Sequence, residues 1–415
     1  MSIHRLISIF HILGPGLLTA SAAIGTSHLV QATRAGTYFG YELLILIILI
    51  NIIKYPFIEC GYRYTIATGK NIIQGYKELS TKLLIIFTII SFFTSFASIA
   101  AVGYICAGIM QSIINVNISS NLLSIIIILI CAIIIAIGHY QLLSKIMKCF
   151  MVILLLSTIT TVIMIYLYPA NSSSIIYDES AFNIKYIPFM LALMGWMPGP
   201  IELSVWHSLW LEARNKNNTQ NLSFKQAKLD FNIGYFLTIL TAILFLILGS
   251  EILRNSGEII SNNGTVFAKQ LISIYTNMIG NWSQHIIEAI IAITILSTTI
   301  TLIDSYPRTL AISLKTLNNN IKYNQRNLHI SMIFTSSIIA SIILLLISNF
   351  KTLLDFVTII AFLTAPLYAY MNYKLQFSNL IPKQYQPHKY LKILSWIGFI
   401  YFAFFVIIYI YSLIK

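Results

Sequence analysis

The chain has 415 residues, of which 57% are hydrophobic and 9% are charged, and its formal net charge is +13. A soluble domain carries roughly 25% charged residues, so this composition excludes a soluble globular protein. Apolar stretches of about 20 residues recur along the chain, and each is long enough to cross a bilayer core. The sequence therefore predicts an all-α integral membrane protein.

We predict eleven membrane spans within a single transmembrane domain that covers residues 1–415. Lys and Arg concentrate in the loops after spans 2, 4, 6, 8 and 10, which lie in the cytoplasm when the N-terminus does. The basic charge is thus an orientation signal and calls for no nucleic-acid partner. A composition rich in Ile, Asn and Lys is typical of an AT-rich genome and favours a bacterial inner membrane. The predicted spans are about 10–36, 41–66, 82–113, 121–140, 146–168, 186–212, 230–253, 285–313, 328–349, 352–375 and 390–413.

In the first span, a glycine, two hydroxyls and an imidazole interrupt the apolar run at Gly25, Thr26, Ser27 and His28. A bilayer tolerates free backbone polar groups only where protein or a water-filled cavity satisfies them. The stretch therefore predicts a helix break whose backbone and side chains meet a ligand.

The sixth span carries a second break, because Pro198, Gly199 and Pro200 stand in series and proline cannot continue a helix. Spans 1 and 6 each open a five-span half, and they run in opposite directions. Paired breaks of this kind are typical of secondary transporters with inverted repeats, whose broken helices meet at the bilayer midplane. A channel remains the alternative class. No Walker motif indicates an ATPase, and no nucleophile–base cluster indicates an enzyme.

The stretch GPGLLTASAAIGTSHLVQATRAGTYFGYELL resembles the first span of the NRAMP (natural resistance-associated macrophage protein) metal-transporter family. That family typically reads Gly-Pro-Gly, then Asp-Pro-Gly-Asn, then Gly-Tyr, and the MPGP stretch of span 6 resembles its Met-Pro-His. The resemblance implies a LeuT-type fold with two inverted five-helix repeats, at about 10–168 and 186–375, and a peripheral helix at about 390–413. It also implies transport of a divalent metal cation, with proton symport as an expectation.

The chain departs from the family pattern at the metal-binding motif. Gly25 stands where the family has Asp, His28 where it has Asn, and Gly199 where it has His, whereas Met197 is kept. The third span has no acid, although the family's proton route uses acids there. Thr358 lies near a family Gln. The candidate substrate-binding residues are Gly25, Thr26, Ser27, His28, Met194, Met197, Gly199 and Thr358.

These candidates carry no formal negative charge, so a hard ion such as Mg²⁺ fits poorly unless it stays hydrated. A soft metal ion could use the imidazole of His28 and the thioether of Met197 as ligands. A small anion such as bicarbonate is the alternative, because the broken helices present N-termini and hydroxyls and the family's Asp is absent. An organic solute is a third possibility.

Ionisable groups inside a membrane are costly and usually functional. Glu202 and His207, which lie on the half-helix after the second break, are therefore candidates for substrate or proton coupling, and histidine titrates near neutral pH. Asp304 in span 8 is a third candidate, although Arg308 four residues later is a ready partner for it.

Other charged residues are expected to be structural. Lys54 and Glu59 in span 2 should pair with acids or with backbone, and Asp230 and Asp355 near the membrane edges should be solvated. The four cysteines lack metal-ligand spacing, so no resident cofactor is expected. The predicted partners are an inorganic ion and the lipid bilayer, and the protein is expected to be a monomer or a weak oligomer.

Overall fold

The computed structural model describes residues 13–114, 116–138, 140–168, 180–217, 222–257, 260–261, 263–318, 324–346 and 349–414, except the side chains of 140–148 and 350. These residues form helices joined by turns, and none of them lies in a strand. The predicted start of span 1 at residue 10 lies outside the described residues.

Spans 1 and 6 are broken, as predicted. Span 1a is Pro15–Ala23, and span 1b consists of a π-helical turn, Ser27–Ala32, that continues as Thr33–Phe39. Span 6a is Ile187–Gly195 and span 6b is Leu203–Asn217.

Nine further helices of the described chain are long and apolar enough to cross a membrane. With the two broken helices they make eleven spans. Span 2 comprises Leu44–Ile58 and Cys60–Thr68, and span 7 comprises Phe224–Leu248 and Gly249–Arg254. The others are span 3 (Thr81–Ile114), span 4 (Ser120–Ile137), span 5 (Tyr140–Leu167), span 8 (Gln284–Leu317), span 9 (Gln325–Leu346), span 10 (Phe350–Gln376) and span 11 (Lys389–Ile414).

Two short helices lie in segments that we had expected to be loops. Ile72–Leu79 is preceded by a capping box in which the side chains of Asn71 and Gln74 each accept from the other's backbone N–H. Gly264–Ile279 begins at Asn263, whose side chain accepts from two backbone N–H groups. Such side-chain caps satisfy the free donors at a helix start. Both helices are too short or too polar to register as spans.

The broken helices lie inside the bundle, between the two halves. Span 1a packs on span 7, span 6a on span 10, and span 8 on span 3. The contact between spans 1a and 7 requires glycines, because a Cβ on Gly16 would lie 2.0 Å from the carbonyl oxygen of Asp230. A Cβ on Gly234 would lie 2.1 Å from the carbonyl oxygen of Gly16. This close packing fixes span 1a, and with it the first break, against the bundle core.

Candidate substrate site at the two helix breaks

The break in span 1 lies at its predicted place but is shorter than predicted. Span 1a ends at Ala23, Ile24 and Gly25 are not helical, and the amide of Leu29 already donates to the carbonyl of Gly25 at 2.9 Å. Ser27 and His28 thus belong to the first turn of span 1b. The free backbone is confined to about three residues.

Position 25 requires glycine, because span 8 lies too close for a side chain. A Cβ at this position would lie 2.1 Å from Oγ1 and 2.9 Å from Cβ of Thr298. No side chain fits unless Thr298 moves, so the carboxylate that the resembling family carries here has no room. Gly25 does not line the cavity described below, although we had predicted that it contacts substrate.

The break in span 6 exposes carbonyl groups that a buried lysine satisfies. Span 6a ends at Gly195, and helix resumes at Leu203. The Nζ atom of Lys54, on span 2, donates to the carbonyls of Met194, Gly195 and Gly199 at 2.7, 2.7 and 3.0 Å. Lys54 therefore contacts backbone, which is one of the two structural roles expected for it.

A cavity of about 20 Å³ lies between the two breaks and span 8. A cavity needs about 10–15 Å³ to hold one water molecule, so this one admits a single water-sized species or a dehydrated ion. The residues from the breaks and from span 8 that line it include Thr26, Ser27, Trp196, Gly199, Trp206 and Thr298. Thr26, Ser27 and Gly199 are thus the predicted binding residues that reach the cavity.

Three polar atoms of the lining residues are buried without a hydrogen-bond partner: Oγ1 of Thr26 and Nε1 of Trp196 and of Trp206. A buried polar group without a partner is costly, so these atoms await a ligand or water. An indole N–H can only donate. The two tryptophans, which the sequence analysis overlooked, therefore favour an oxygen-bearing occupant.

His28 is turned away from the cavity, contrary to its predicted role as a ligand. Its Nδ1 lies 2.8 Å from Ser27 Oγ, and its Nε2 lies 3.0 Å from the carbonyl oxygen of Thr238 on span 7. Both ring nitrogens already have partners. The imidazole anchors span 1b to span 7 instead of facing the ion path.

The predicted methionine and threonine ligands also lie outside the cavity lining. The sulfur of Met194 accepts from the hydroxyl of Tyr401 at 2.9 Å, and Met197 is buried in the core. Thr358 donates to the carbonyl of Leu354 at 2.8 Å. His28 and Met197 therefore do not form a metal site here, and the described residues contain no cluster of three or more His, Cys, Asp or Glu that could hold a metal ion.

Glu202 is buried beside the second break and is held by hydroxyl groups from three spans. Ser91 donates to Oε1 at 2.5 Å, Tyr368 donates to Oε1 at 2.8 Å, and Tyr306 donates to Oε2 at 3.4 Å. Glu202 lies in the turn just before span 6b, not on the half-helix as predicted, and its contacts tie this turn to spans 3, 10 and 8. Glu202 is therefore fixed within the bundle core.

A second cavity, of about 550 Å³, reaches Glu202 from the side of spans 3, 9 and 10. Its lining is mostly aromatic and aliphatic, and Glu202 is the charged residue in that lining. Trp196 and Tyr306 line both cavities. These two side chains are the partition between Glu202 and the space at the breaks.

His207 links the two broken helices. Its Nδ1 lies 2.7 Å from Thr19 Oγ1, and the same hydroxyl donates to the carbonyl of Pro15 at 2.8 Å. Since the hydroxyl proton is used there, Nδ1 of His207 is the donor, which leaves Nε2 as an acceptor. That Nε2 is buried and has no partner.

Asp304 is paired with Arg308, the alternative that we kept open for it. Its two carboxylate oxygens lie 2.6 and 3.1 Å from the Arg308 guanidinium. Nε2 of His329 lies 3.6 Å from the same carboxylate. A coupling role for Asp304 stays a prediction, and neither cavity described above is lined by it.

Aspartates from other helices contact span 1 toward both ends of the bundle. At the end reached by span 1b, Arg34 donates to both oxygens of Asp355, at 2.6 and 3.0 Å, and lies 4.9 Å from the ring of Phe189. At the end where span 1a begins, Asp230 accepts from the amides of Gly14 and Gly16, at 2.9 and 2.7 Å. The expectation of solvation was wrong for Asp230, which is buried and satisfies free amides at the start of span 1a, whereas Asp355 is partly exposed and pairs with Arg34.

The family model for Nramp, natural resistance-associated macrophage protein-like, matches residues 16–414. An uncharacterized protein of Pasteurella multocida (strain Pm70) is 33% identical over 408 residues, which cover 97% of this chain and 92% of that protein. The divalent metal cation transporter MntH of Staphylococcus aureus (strain bovine RF122 / ET3-1) is 27% identical over 262 residues, which cover 59% of this chain and 56% of that protein.

Solved structures share the fold at low sequence identity. A mutant of the Eremococcus coleocola manganese transporter superposes with a TM-score of 0.71 at 15% identity, covering 97% of this chain and 85% of that one. MhsT in complex with L-phenylalanine gives a TM-score of 0.63 at 12% identity, with 95% and 98% covered. The predicted LeuT-type fold is thereby confirmed. The chain belongs to the Nramp family, and it is an integral membrane transporter rather than an enzyme.

Proposed function

We propose that this protein is a secondary active transporter that carries a small inorganic ion by alternating access between the breaks in spans 1 and 6. The main support is the small cavity between the breaks, which the hydroxyls of Thr26 and Ser27 line. In this proposal residues 1–415 form one domain, built from inverted repeats at about 10–168 and 186–375 and a helix at about 390–413.

Divalent metal cations are the proposed substrate class. The support is membership of the Nramp family, together with likeness to an MntH and to a manganese transporter. Within the cavity, the hydroxyls of Thr26 and Ser27 offer oxygen ligands, and the rings of Trp206 and Tyr306 offer faces that attract cations. Because no carboxylate lines the cavity and its present volume admits only a dehydrated ion, neutral oxygen atoms and ring faces would hold the metal ion here, and the ion would keep water ligands only in a more open state.

A small oxyanion such as bicarbonate is the second candidate. The observation that favours it is the pair of buried indole N–H groups of Trp196 and Trp206 with no partner. An oxyanion accepts hydrogen bonds from such donors, and no carboxylate repels it from the cavity.

The proposed coupling ion is a proton, and we propose no resident cofactor. Glu202 is the proposed proton site, because it is the carboxylate nearest to the break and a cavity reaches it. His207, with its unpartnered Nε2, is a second proton site between spans 1a and 6b. We propose that the N-terminus lies in the cytoplasm and that the protein is a monomer or a weak oligomer in a bacterial inner membrane.

The substrate class is tested by uptake into proteoliposomes, with Mn²⁺, Mg²⁺ and bicarbonate measured in parallel. We expect saturable uptake of a divalent cation, with acidification of the lumen if protons move with it. The matched variant is Trp206→Phe, which keeps an aromatic side chain and removes the N–H together with part of the indole. A lost hydrogen bond to a charged ligand costs about 1.5–3 kcal/mol, so this variant should lower oxyanion uptake about ten- to hundredfold and leave metal uptake nearly unchanged.

Bicarbonate uptake that falls in Trp206→Phe, with no movement of either metal ion, would refute the metal proposal and establish the second candidate. Flux that rises linearly with concentration would instead refute the carrier and support a channel.

A further inference from the structure

Lys54 is a fully buried lysine whose partners are backbone carbonyls rather than carboxylates. Its Nζ lies 2.7 Å from the carbonyl oxygen of Met194, 2.7 Å from that of Gly195 and 3.0 Å from that of Gly199. Among the described residues, no carboxylate forms an ion pair with it. A charge in this position is compensated by the three carbonyl dipoles alone.

The number of acceptors around Nζ matches the ammonium form of Lys54. A lysine ammonium has three N–H donors, and here each one has a carbonyl oxygen within hydrogen-bonding distance. A neutral amine has two donors and a lone pair, so one carbonyl oxygen would face that lone pair. The geometry therefore fits the ammonium form.

The three carbonyls belong to the end of span 6a and to the break after it. The last carbonyls of a helix have no partner within the helix, and the helix dipole places partial negative charge on them. In transporters with broken helices, such carbonyls commonly coordinate the transported or coupled cation. Three convergent carbonyl oxygens in an apolar bundle thus form a cation site, and here a side chain fills it.

We propose that the Lys54 ammonium is a tethered, resident cation that takes the place of an inorganic cation at the span 6 break. It binds the carbonyls of Met194, Gly195 and Gly199, so these carbonyls do not coordinate the transported ion. It also positions Gly199, which lines the substrate cavity. The span 6 break accordingly needs no Na⁺ or K⁺ to keep its shape, whichever ion the protein transports.

Replacement of Lys54 by alanine should create an empty cation site of known shape. Lys54→Ala removes Cγ, Cδ, Cε and Nζ, which together have the shape of n-propylammonium. The experiment measures the melting temperature of the purified full-length protein in detergent, in choline chloride, while propylammonium chloride is titrated at constant ionic strength. A ligand that binds only the folded state raises the melting temperature in a saturable way.

We expect Lys54→Ala to melt below the wild type and propylammonium to restore most of the difference. The uncharged analogue 1-propanol should restore little, and the wild type should respond to neither compound. Na⁺ or K⁺ should stabilise the variant more than choline does. The matched control is Ile50→Ala, which removes a buried side chain one turn earlier on the same helix and leaves an apolar space. It should not respond to propylammonium.

Two further variants cover the case in which Lys54→Ala does not fold. Lys54→Met keeps the volume without the charge, and Lys54→Arg keeps the charge. If Lys54→Met fails to fold whereas Lys54→Arg folds, the proposal is supported. A Met or Ala variant as stable as the wild type, or equal rescue by propylammonium and 1-propanol, would overturn it. The melting temperature is measured without any transport, so the result does not depend on the uptake assays that test the proposed function.

Discussion

Gly25 lacks room for a side chain because Thr298 of span 8 fills the space above it. A side chain at position 25, including the aspartate that the family resemblance predicts there, would collide with Thr298. The chemistry of the cavity therefore depends on pairs of residues from spans 1 and 8.

The contact predicts a compensating pair of substitutions. Gly25→Ala places a Cβ 2.1 Å from Thr298 Oγ1, and overpacking of a close-packed core costs about 1–3 kcal/mol. Thr298→Ala removes that oxygen, so the double variant should recover at least half of the lost unfolding free energy, measured by thermal or chemical denaturation. Strictly additive effects would contradict the contact. Gly264→Ala is the control, because the nearest atom to its Cβ would be 3.5 Å away.

Residue types indicated the breaks, but they did not indicate where each side chain points. Glycine and proline reveal a break in any environment, so the positions near Gly25 and Pro198 were predictable. The direction of His28 depends on how span 1b is rotated and on the Thr238 carbonyl of span 7, about 210 residues away in sequence. The role of Trp196 and Trp206 likewise becomes apparent only when their unpartnered N–H groups are seen beside the cavity.

At the scale of elements, span 1 is held at both of its ends by aspartates from other helices. Asp230 of span 7 satisfies the first amides of span 1a, and Asp355 of span 10 pairs with Arg34 on span 1b. Alternating access requires that these contacts open in turn. The strength of each contact should therefore set how often its end of the site opens.

Asp230→Asn should release the start of span 1a. The asparagine side chain has an NH₂ donor where aspartate has its second acceptor oxygen, so one backbone N–H of span 1a loses its acceptor. A hydrogen bond to a charged group is worth about 1.5–3 kcal/mol. Hydrogen exchange of the amides at residues 16–20 should accelerate about tenfold or more. Asp355→Asn is the matched control at the other end and should leave these amides unchanged. Equal acceleration in both variants would indicate general loosening and would contradict a separate closure at each end.

The two short helices outside the spans mark the limit of the sequence prediction at this scale. Ile72–Leu79 and Gly264–Ile279 follow Asn71 and Asn263, whose capping side chains could have revealed them. A search for long apolar runs passes over such helices, because only one of their faces is buried. The eleven spans were found because each meets a length requirement imposed by the bilayer itself.

At the scale of the whole molecule, the fold was predictable from hydropathy, charge alternation and a family resemblance, whereas the contacts around the site were not. These contacts join helices far apart in sequence, such as Arg34 with Asp355. The space between the breaks is about 20 Å³. The central claim is that one small ion passes through this space as the bundle alternates.

The most direct test is exchange of the ion that the wild-type protein takes up, measured across proteoliposomes with that ion present on both sides. Ala23 lines the small cavity, whereas the partly buried Ala67 of span 2 lines neither cavity, so Ala23→Leu fills the site and Ala67→Leu adds the same volume elsewhere. We predict saturable exchange in the wild type and in Ala67→Leu, and none in Ala23→Leu when the latter is shown to be folded by its melting temperature. Saturable exchange at the wild-type rate in folded Ala23→Leu would contradict the assignment of the substrate path to the two helix breaks.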